Sequence, residues 1–335
     1  TLDPYAIWVS EIMLQQTQVK TVIPYWNRWM KRLPNTDRLA LAQEPTILKL
    51  WEGLGYYTRV RNLQKAARQI RRDHGGEFPR DPDEILALPG IGRYTAGAIT
   101  SIAFDQAEPI LDGNVIRVLA RVFGIGGDPK DKTVNEQLWA SAEDMVKRTK
   151  AGVSFSETAP LVFAGQRSAL NQGLMELGAT VCLPANPSCL SCPLQKNCVA
   201  LAEKRIDKLP AITKRARTTK RRFSTVVLQR GKRYFIRQRK AGLVNAGFWE
   251  FPNLEITEAN KTVCEVSLAL FGRELDGKQI DRFEHSITRY RFQQTVFLAE
   301  AAGRSQIEPG GDWVTAAELR KRPFYSPQIR IFERL

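Results

Sequence analysis

Four of the five cysteines crowd into one segment, Cys182-x6-Cys189-x2-Cys192-x5-Cys198; the fifth is Cys264. Spacing this close points to metal ligation rather than a disulfide framework. Tetrahedral zinc and a four-iron cluster both accept four thiolates. Two Cys-x2-Cys pairs separated by a long loop would favour zinc. Here three short loops, stiffened by Pro184, Pro187 and Pro193, wrap one site. That suits a cubane whose four irons each take one sulfur, with zinc as the alternative.

The stretch Leu88–Asp112 offers a second kind of chemistry. It begins with a tight turn, Leu88-Pro89-Gly90-Ile91-Gly92, and an apolar helical pattern follows from Tyr94 to Ala103. The glycines permit unusual φ values and close backbone approach. The N terminus of the next helix presents unpaired N–H groups and a positive dipole end, which together receive anions. The stretch therefore reads as a backbone phosphate clamp that also delivers the carboxylate of Asp112. On its own it reads equally well as two helices whose glycines serve packing.

These motifs need elements to hold them. Asp3 and Pro4 open a helix carrying Tyr5, Ile7, Trp8, Ile12 and Leu14, with Glu11 among them; Gln15-Gln16-Thr17 breaks it, and Thr17 is expected to cap the next helix. Helical patterns recur at 38–42, 45–51, 58–73, 82–87, 94–103, 113–123, 133–147 and 170–177, with a loop expected at Thr149–Glu157. No strand pattern appears before about residue 222, so 1–203 reads as an all-α domain. Residues 204–222 carry Lys204, Arg205, Lys208, Lys214, Arg215, Arg217, Lys220, Arg221 and Arg222, and read as a basic interdomain linker. From 223 to 335 strand patterns at 223–229, 233–239, 248–252, 282–288 and 291–300, with helices at 262–270 and 316–321, predict an α+β domain.

A chain of 335 residues accommodates two such domains. Its formal net charge of +15 favours a polyanionic partner. No run of about twenty apolar residues is present, so no membrane-spanning helix is expected. Thr1 has no Met before it, and the expectation is that residues precede it, so a targeting signal is not legible.

The helical domain, the hairpin Leu88–Gly92, the following Asp112 and the Cys-x6-Cys-x2-Cys-x5-Cys loop at 182–198 together resemble the endonuclease III superfamily of helix–hairpin–helix DNA glycosylases. The resemblance implies base flipping and a [4Fe–4S] cluster on Cys182, Cys189, Cys192 and Cys198 that is structural or redox-active rather than the excision catalyst. Bifunctional lyases of that superfamily carry a Schiff-base lysine shortly after the hairpin. The matching residue here is Tyr94. A phenol forms no imine, so a monofunctional enzyme is expected; an endonuclease III-like glycosylase/AP lyase for oxidised pyrimidines is the alternative.

Three segments, Trp8–Thr17, Trp51–Tyr57 and Leu111–Val115, resemble the MutY-type adenine DNA glycosylases, as does the presence of a C-terminal domain. The implied reaction is hydrolytic removal of adenine mispaired with 8-oxoguanine, or with guanine, in base excision repair. Adenine leaves poorly unless protonated, and the sugar develops oxocarbenium character, so two carboxylates in different environments can divide the work. Glu11, on an apolar helix, is the candidate acid for adenine N7. Asp112 stabilises the cation, directly or through a transient adduct, with Asn114 and Tyr94 orienting it and the nucleophile.

By the same resemblance, Gln16 wedges into the duplex, Tyr56 intercalates, Thr17 and Leu54 line the lesion side with Gln15 beside them, and Gln172 meets the adenine edge. Leu88, Gly90 and Gly92 contact DNA, and the hairpin carbonyls hold an alkali or calcium ion. Gly247-Phe248-Trp249-Glu250-Phe251-Pro252 resembles the start of a Nudix fold, but the expected helix there offers only Glu265 as a metal ligand, so nucleotide hydrolysis is not expected. In the family a Phe-Ser-His loop reads 8-oxoguanine; the aligned residues are Phe283, Glu284 and His285, followed by Ser286, with Glu284 where a serine is usual. The resemblance also implies a monomer acting on double-stranded DNA in the cytoplasm, at the bacterial nucleoid, with no membrane partner.

Overall fold

The computed structural model describes residues 1–149, 165–211, 213, 218–256, 262–287, 289–301 and 311–335. The loop expected at Thr149–Glu157 lies, beyond Thr149, outside the described residues, as do Lys214, Arg215 and Arg217 of the basic segment and Thr288. Two units are present. One comprises Thr1–Leu41 and Arg61–Lys214, the other Ala42–Val60 and Arg215–Leu335. The helical segment Ala42–Val60, read from sequence as part of the all-α domain, thus groups with the second unit.

The helices are α1 (Pro4–Leu14), α2 (Val19–Arg32), α3 (Thr36–Leu41), α4 (Glu44–Trp51), α5 (Thr58–Asp73), α6 (Pro82–Leu86), α7 (Arg93–Phe104), α8 (Gly113–Val122), α9 (Lys132–Arg148), α10 (Gln166–Thr180) and α11 (Val199–Ala202). Asp3 caps α1 by accepting from Tyr5 N–H at 3.0 Å, and Pro4 occupies its first position. Thr17 does not cap α2; Gln18 stands at that position without a side-chain bond, while the Thr17 hydroxyl bonds back to the Gln15 carbonyl at 3.4 Å.

Helix α7 is buried from Thr95 to Ile102 and forms the axis of this unit. Its Gly97 allows the Pro109 carbonyl to come so near that an added Cβ would lie 2.2 Å from it. The chain approaching Asp112 is thereby laid against α7. The apolar face of α8, Val115, Val118 and Leu119, packs in a core with Leu138 and Ala142 of α9 and Leu174 of α10. On α10, Gly178 faces Asn114, where a Cβ would meet Asn114 Cβ at 2.6 Å. Two glycines therefore set the position of the start of α8.

The second unit is built on strands β1 (Thr219–Arg230), β2 (Arg233–Gln238), β3 (Trp249–Glu250), β4 (Asn253–Glu255), β5 (Gly277–Ile287), β6 (Tyr290–Glu300) and β7 (Gly311–Thr315), with helices α12 (Val263–Phe271), α13 (Ala316–Leu319) and α14 (Ser326–Phe332). The order is β3-β2-β1-β6-β5; β4 pairs with β1 and β7 with β2. The β1–β6 ladder is parallel, running from Thr219 to Gln229 on β1, and the other strand pairs among the described residues are antiparallel. The end of the segment read as a linker is therefore sheet. Successive residues of β1 point to opposite faces. Val226 and Leu228 pack with Val266 and Leu270 of α12, and Val227 packs on the other face with Phe251, Phe324 and Ile331. Burial on both faces explains the continuous apolar run of this central strand. Glu265 is the acidic residue of α12, and it closes a capping box with Thr262.

Candidate active site

Glu11 points into the interior of the first unit from α1 and is only 6% exposed. The Tyr94 hydroxyl, on the first turn of α7, donates to Glu11 Oε2 at 2.5 Å. No other hydrogen bond to the Glu11 carboxyl forms among the described residues, so Oε1 is left for a ligand. Burial pushes the Glu11 carboxyl above the usual carboxylate range, the Tyr94 bond opposes that rise, and the charge of Asp112 adds to it. The Tyr94 phenol is itself pushed up by burial and then by the charge of Glu11, so it stays a donor.

Asp112 stands at the N-cap of α8. Its Oδ1 accepts from Asn114 N–H at 3.0 Å and Val115 N–H at 2.8 Å, and its Oδ2 from the Asn114 side-chain amide at 3.0 Å. A helix N terminus suits a carboxylate electrostatically. Asn114 is held in turn by Arg117 Nη2 at 2.9 Å. The same guanidinium donates to the carbonyls of Gly178 and Cys182, each at 2.6 Å. Glu11, Tyr94 and the Asp112–Asn114 pair, which lie apart in sequence, are thus brought near one another.

The hairpin between α6 and α7 has Leu88 and Ile91 buried and Gly90 and Gly92 exposed. Gly90 has a φ of 80°, and a Cβ there would strike Asn62 at 2.6 Å. The Leu88 carbonyl accepts from Ile91 N–H at 3.1 Å. Gln15 caps the end of α1. After it, Gln16 is exposed with a left-handed φ of 57°, and Thr17 is partly buried. Gln172 on α10 donates to the Ser168 hydroxyl at 3.0 Å. In the second unit Leu54 is buried, whereas Tyr56 is 43% exposed with a φ of 47°.

Phe283, Glu284, His285 and Ser286 do not form a loop; all four lie within β5. Phe283 is 5% exposed in the core beside Val227 and Val296, which leaves its ring no free face for a base. Glu284 pairs with Arg291 at 2.6 Å, so its charge is matched across the β5–β6 ladder. His285 stacks on Phe292, centroids 5.0 Å apart, and burial followed by the charge of Arg330 holds its imidazole below the usual histidine range.

The four cysteines of the 182–198 segment line one cavity, with Val118, Arg121 and Leu177 among its walls. None is in a disulfide. Burial pushes the Cys189 thiol up, and its three neighbours add to that rise. Among the described residues no group of three or more His, Cys, Asp or Glu could hold a single metal ion as placed; these thiols stand around a space instead. Arg121, buried, donates to Cys182 Sγ at 3.4 Å and to the carbonyls of Leu183 and Leu209 at 2.7 and 2.9 Å.

A family model described as HhH-GPD superfamily base excision DNA repair protein matches residues 9–144, and a NUDIX domain model matches residues 224–334. An adenine DNA glycosylase of Rattus norvegicus is 47% identical over 210 residues, which is 62% of this chain and 38% of that protein. The chain thus spans well under half the length of that relative. An adenine DNA glycosylase of Buchnera aphidicola subsp. Schizaphis graminum is 34% identical over 286 residues, 85% of this chain and 77% of its own length. The chain belongs to the adenine DNA glycosylases. Among solved structures, a thermostable thymine-DNA glycosylase aligns with a TM-score of 0.51 at 28% identity, covering 61% of this chain and 86% of that one.

In this adenine DNA glycosylase family member, sequence reasoning missed Arg117 and Arg121. A signal existed: with Asn114 they fall at i, i+3 and i+7, one face of α8. It also missed the role of Gly178, for which sequence gives no cue beyond a glycine inside a helix.

Proposed function

We propose that the protein is a monofunctional glycosylase that removes adenine opposite 8-oxoguanine, with guanine as the lesser partner, from double-stranded DNA. The observation that carries this reading is the buried Glu11 carboxyl with one oxygen held by Tyr94 and the other left for a base. An acid whose burial favours its protonated form can give its proton to adenine N7 and turn a poor leaving group into a good one. Asp112, fixed by three donors, faces the positive charge that develops on the sugar. Water then completes hydrolysis. Tyr94 stands where a lyase would carry its lysine, and its hydroxyl donates to Glu11.

Four thiols around one cavity fit a [4Fe–4S] cluster better than a single zinc ion. Cys182, Cys189, Cys192 and Cys198 would hold it. Bound there, it would crosslink the loops to which Arg117 and Arg121 donate from α8. The second unit fits a recognition role, since Glu265 of α12 is engaged in helix capping.

The test is a single-turnover assay on duplexes holding A·8-oxoguanine, A·G or A·C. Free adenine should appear without strand nicking until alkali is added, and borohydride should trap no covalent complex. Glu11→Gln should abolish release while duplex binding persists. Nicking through a trappable imine would overturn the monofunctional reading, and Mg²⁺-dependent pyrophosphatase activity would overturn the recognition role of the second unit.

A further inference from the structure

The turn Gly53–Tyr56 runs through left-handed backbone that its glycines accept and its tyrosine resists. Gly53, Gly55 and Tyr56 have φ values of 97°, 71° and 47°. A tyrosine persists in the left-handed region only where its surroundings over-determine it. Some of the restraint is local. Trp51 Nε1 donates to the Gly55 carbonyl at 3.1 Å, and Arg59 Nη2 donates to the carbonyls of Leu54 and Gly55 at 3.2 Å each.

The rest comes from residues near the end of the chain, within the same unit. Glu52 Oε1 accepts from the Phe324 N–H at 2.6 Å. Glu52 Oε2 accepts from Lys49 Nζ at 2.6 Å, and Lys49 Nζ also donates to the Arg322 carbonyl at 2.9 Å. An ion pair at the end of α4 is thus pinned to two backbone groups of the 322–324 segment. The anchor is firm: the Phe324 ring is core, stacked on Phe251 at 5.9 Å. On the other flank the Tyr57 ring lies on Phe248, centroids 4.1 Å apart. The turn is gripped on both sides by the C-terminal part of the fold, although its sequence lies between helices of the first unit.

We propose that Glu52 is a positioning residue for opposite-base discrimination. By fastening α4 to the 322–324 backbone, it fixes where Leu54 and Tyr56 stand against the strand that carries 8-oxoguanine. The proposal rests on the reading of Leu54 and Tyr56 as contacts of that strand. It assigns the aiming of those residues to the C-terminal part of the fold acting together with the helices adjoining them in sequence. Because Phe324 stays in the core without Glu52, loss of the carboxylate frees the turn rather than the unit.

The test uses the full chain. The readouts are single-turnover adenine release from A·8-oxoguanine and A·G duplexes, and amide hydrogen exchange without DNA. Glu52→Ala should lower the ratio of the two rates by about tenfold, the scale of one charge-assisted hydrogen bond. Exchange at Phe324 and across Gly53–Tyr57 should speed up. Glu52→Gln keeps an oxygen for the Phe324 N–H and should restore both the ratio and the protection. Unchanged exchange in Glu52→Ala, or faster exchange with an unchanged ratio, overturns the proposal. If the unsubstituted protein releases adenine from neither duplex, the functional reading fails and the discrimination role with it; exchange still reports separately whether Glu52 holds the turn.

Discussion

Replacing Tyr94 by Phe removes one hydroxyl and leaves the ring. The bond lost is short, 2.5 Å, and ends on a buried carboxyl. A hydrogen bond to a charged group contributes about 1.5–3 kcal/mol. It stabilises the ionised form of Glu11, and so opposes the rise that burial imposes. Since 1.36 kcal/mol corresponds to one pH unit, deleting the bond should displace the titration of Glu11 upward by about one to two pH units. The protonated form is the working acid, so excision should decline as pH rises through that titration. Tyr94→Phe should therefore hold its own maximal rate to higher pH than the parent. The assay is single-turnover adenine release from an A·8-oxoguanine duplex across the accessible pH range, with thermal melting to confirm folding. An alkaline limb that stays in place, or moves to lower pH, would refute the assignment of Glu11 as acid and Tyr94 as its modulator.

Three further outcomes are expected. Glu11→Gln should raise the melting temperature at neutral pH, because the folded-state pKa of Glu11 lies above its ordinary value of 4.5 and the cost of its buried charge appears as pH rises through that folded value. In melts at successively lower pH, that advantage should fade as both states of the parent become protonated. Gly178→Ala places a Cβ 2.6 Å from Asn114 Cβ and 2.8 Å from its carbonyl, so urea unfolding should show a loss of about 1–3 kcal/mol, with slower excision as Asp112 shifts. Cys198→Ser should lower bound iron and the visible absorbance of the purified protein, and weaken binding to duplex DNA, since the 182–198 loops lose a crosslink.

Much of the helical unit was legible because its signals are local. Asp3-Pro4 starts a helix wherever it occurs before an apolar pattern, and the cysteine spacing restricts ligation without knowledge of the fold. Glu11 was different. Nothing in its neighbours distinguishes a buried acid from a solvated one, and only motif resemblance singled it out; its bond to Tyr94 spans 83 residues of sequence. The grouping of Ala42–Val60 with the C-terminal unit was illegible for the same reason, since Glu52 and Phe324 are 272 residues apart. Strands β4 and β7, three and five residues long, are too short to show a period. The strand expected at 282–288 is present within β5, so the residues aligned with the family's loop are strand residues here. Phe283 and His285 alternate with Glu284 and Ser286 as strand residues do, and the β5–β6 ladder claims all four.

Gln16 and Tyr56 hold left-handed backbone. Where a fold's own contacts impose such a conformation, its torsional cost is met when the chain folds. In the proposed wedge and intercalation roles, such side chains act as fixed probes rather than as parts that close on a target. A weakly stacked mispair would yield to the probe sooner than a sound one, so the first stage of discrimination would be mechanical and precede any reading of the base edge.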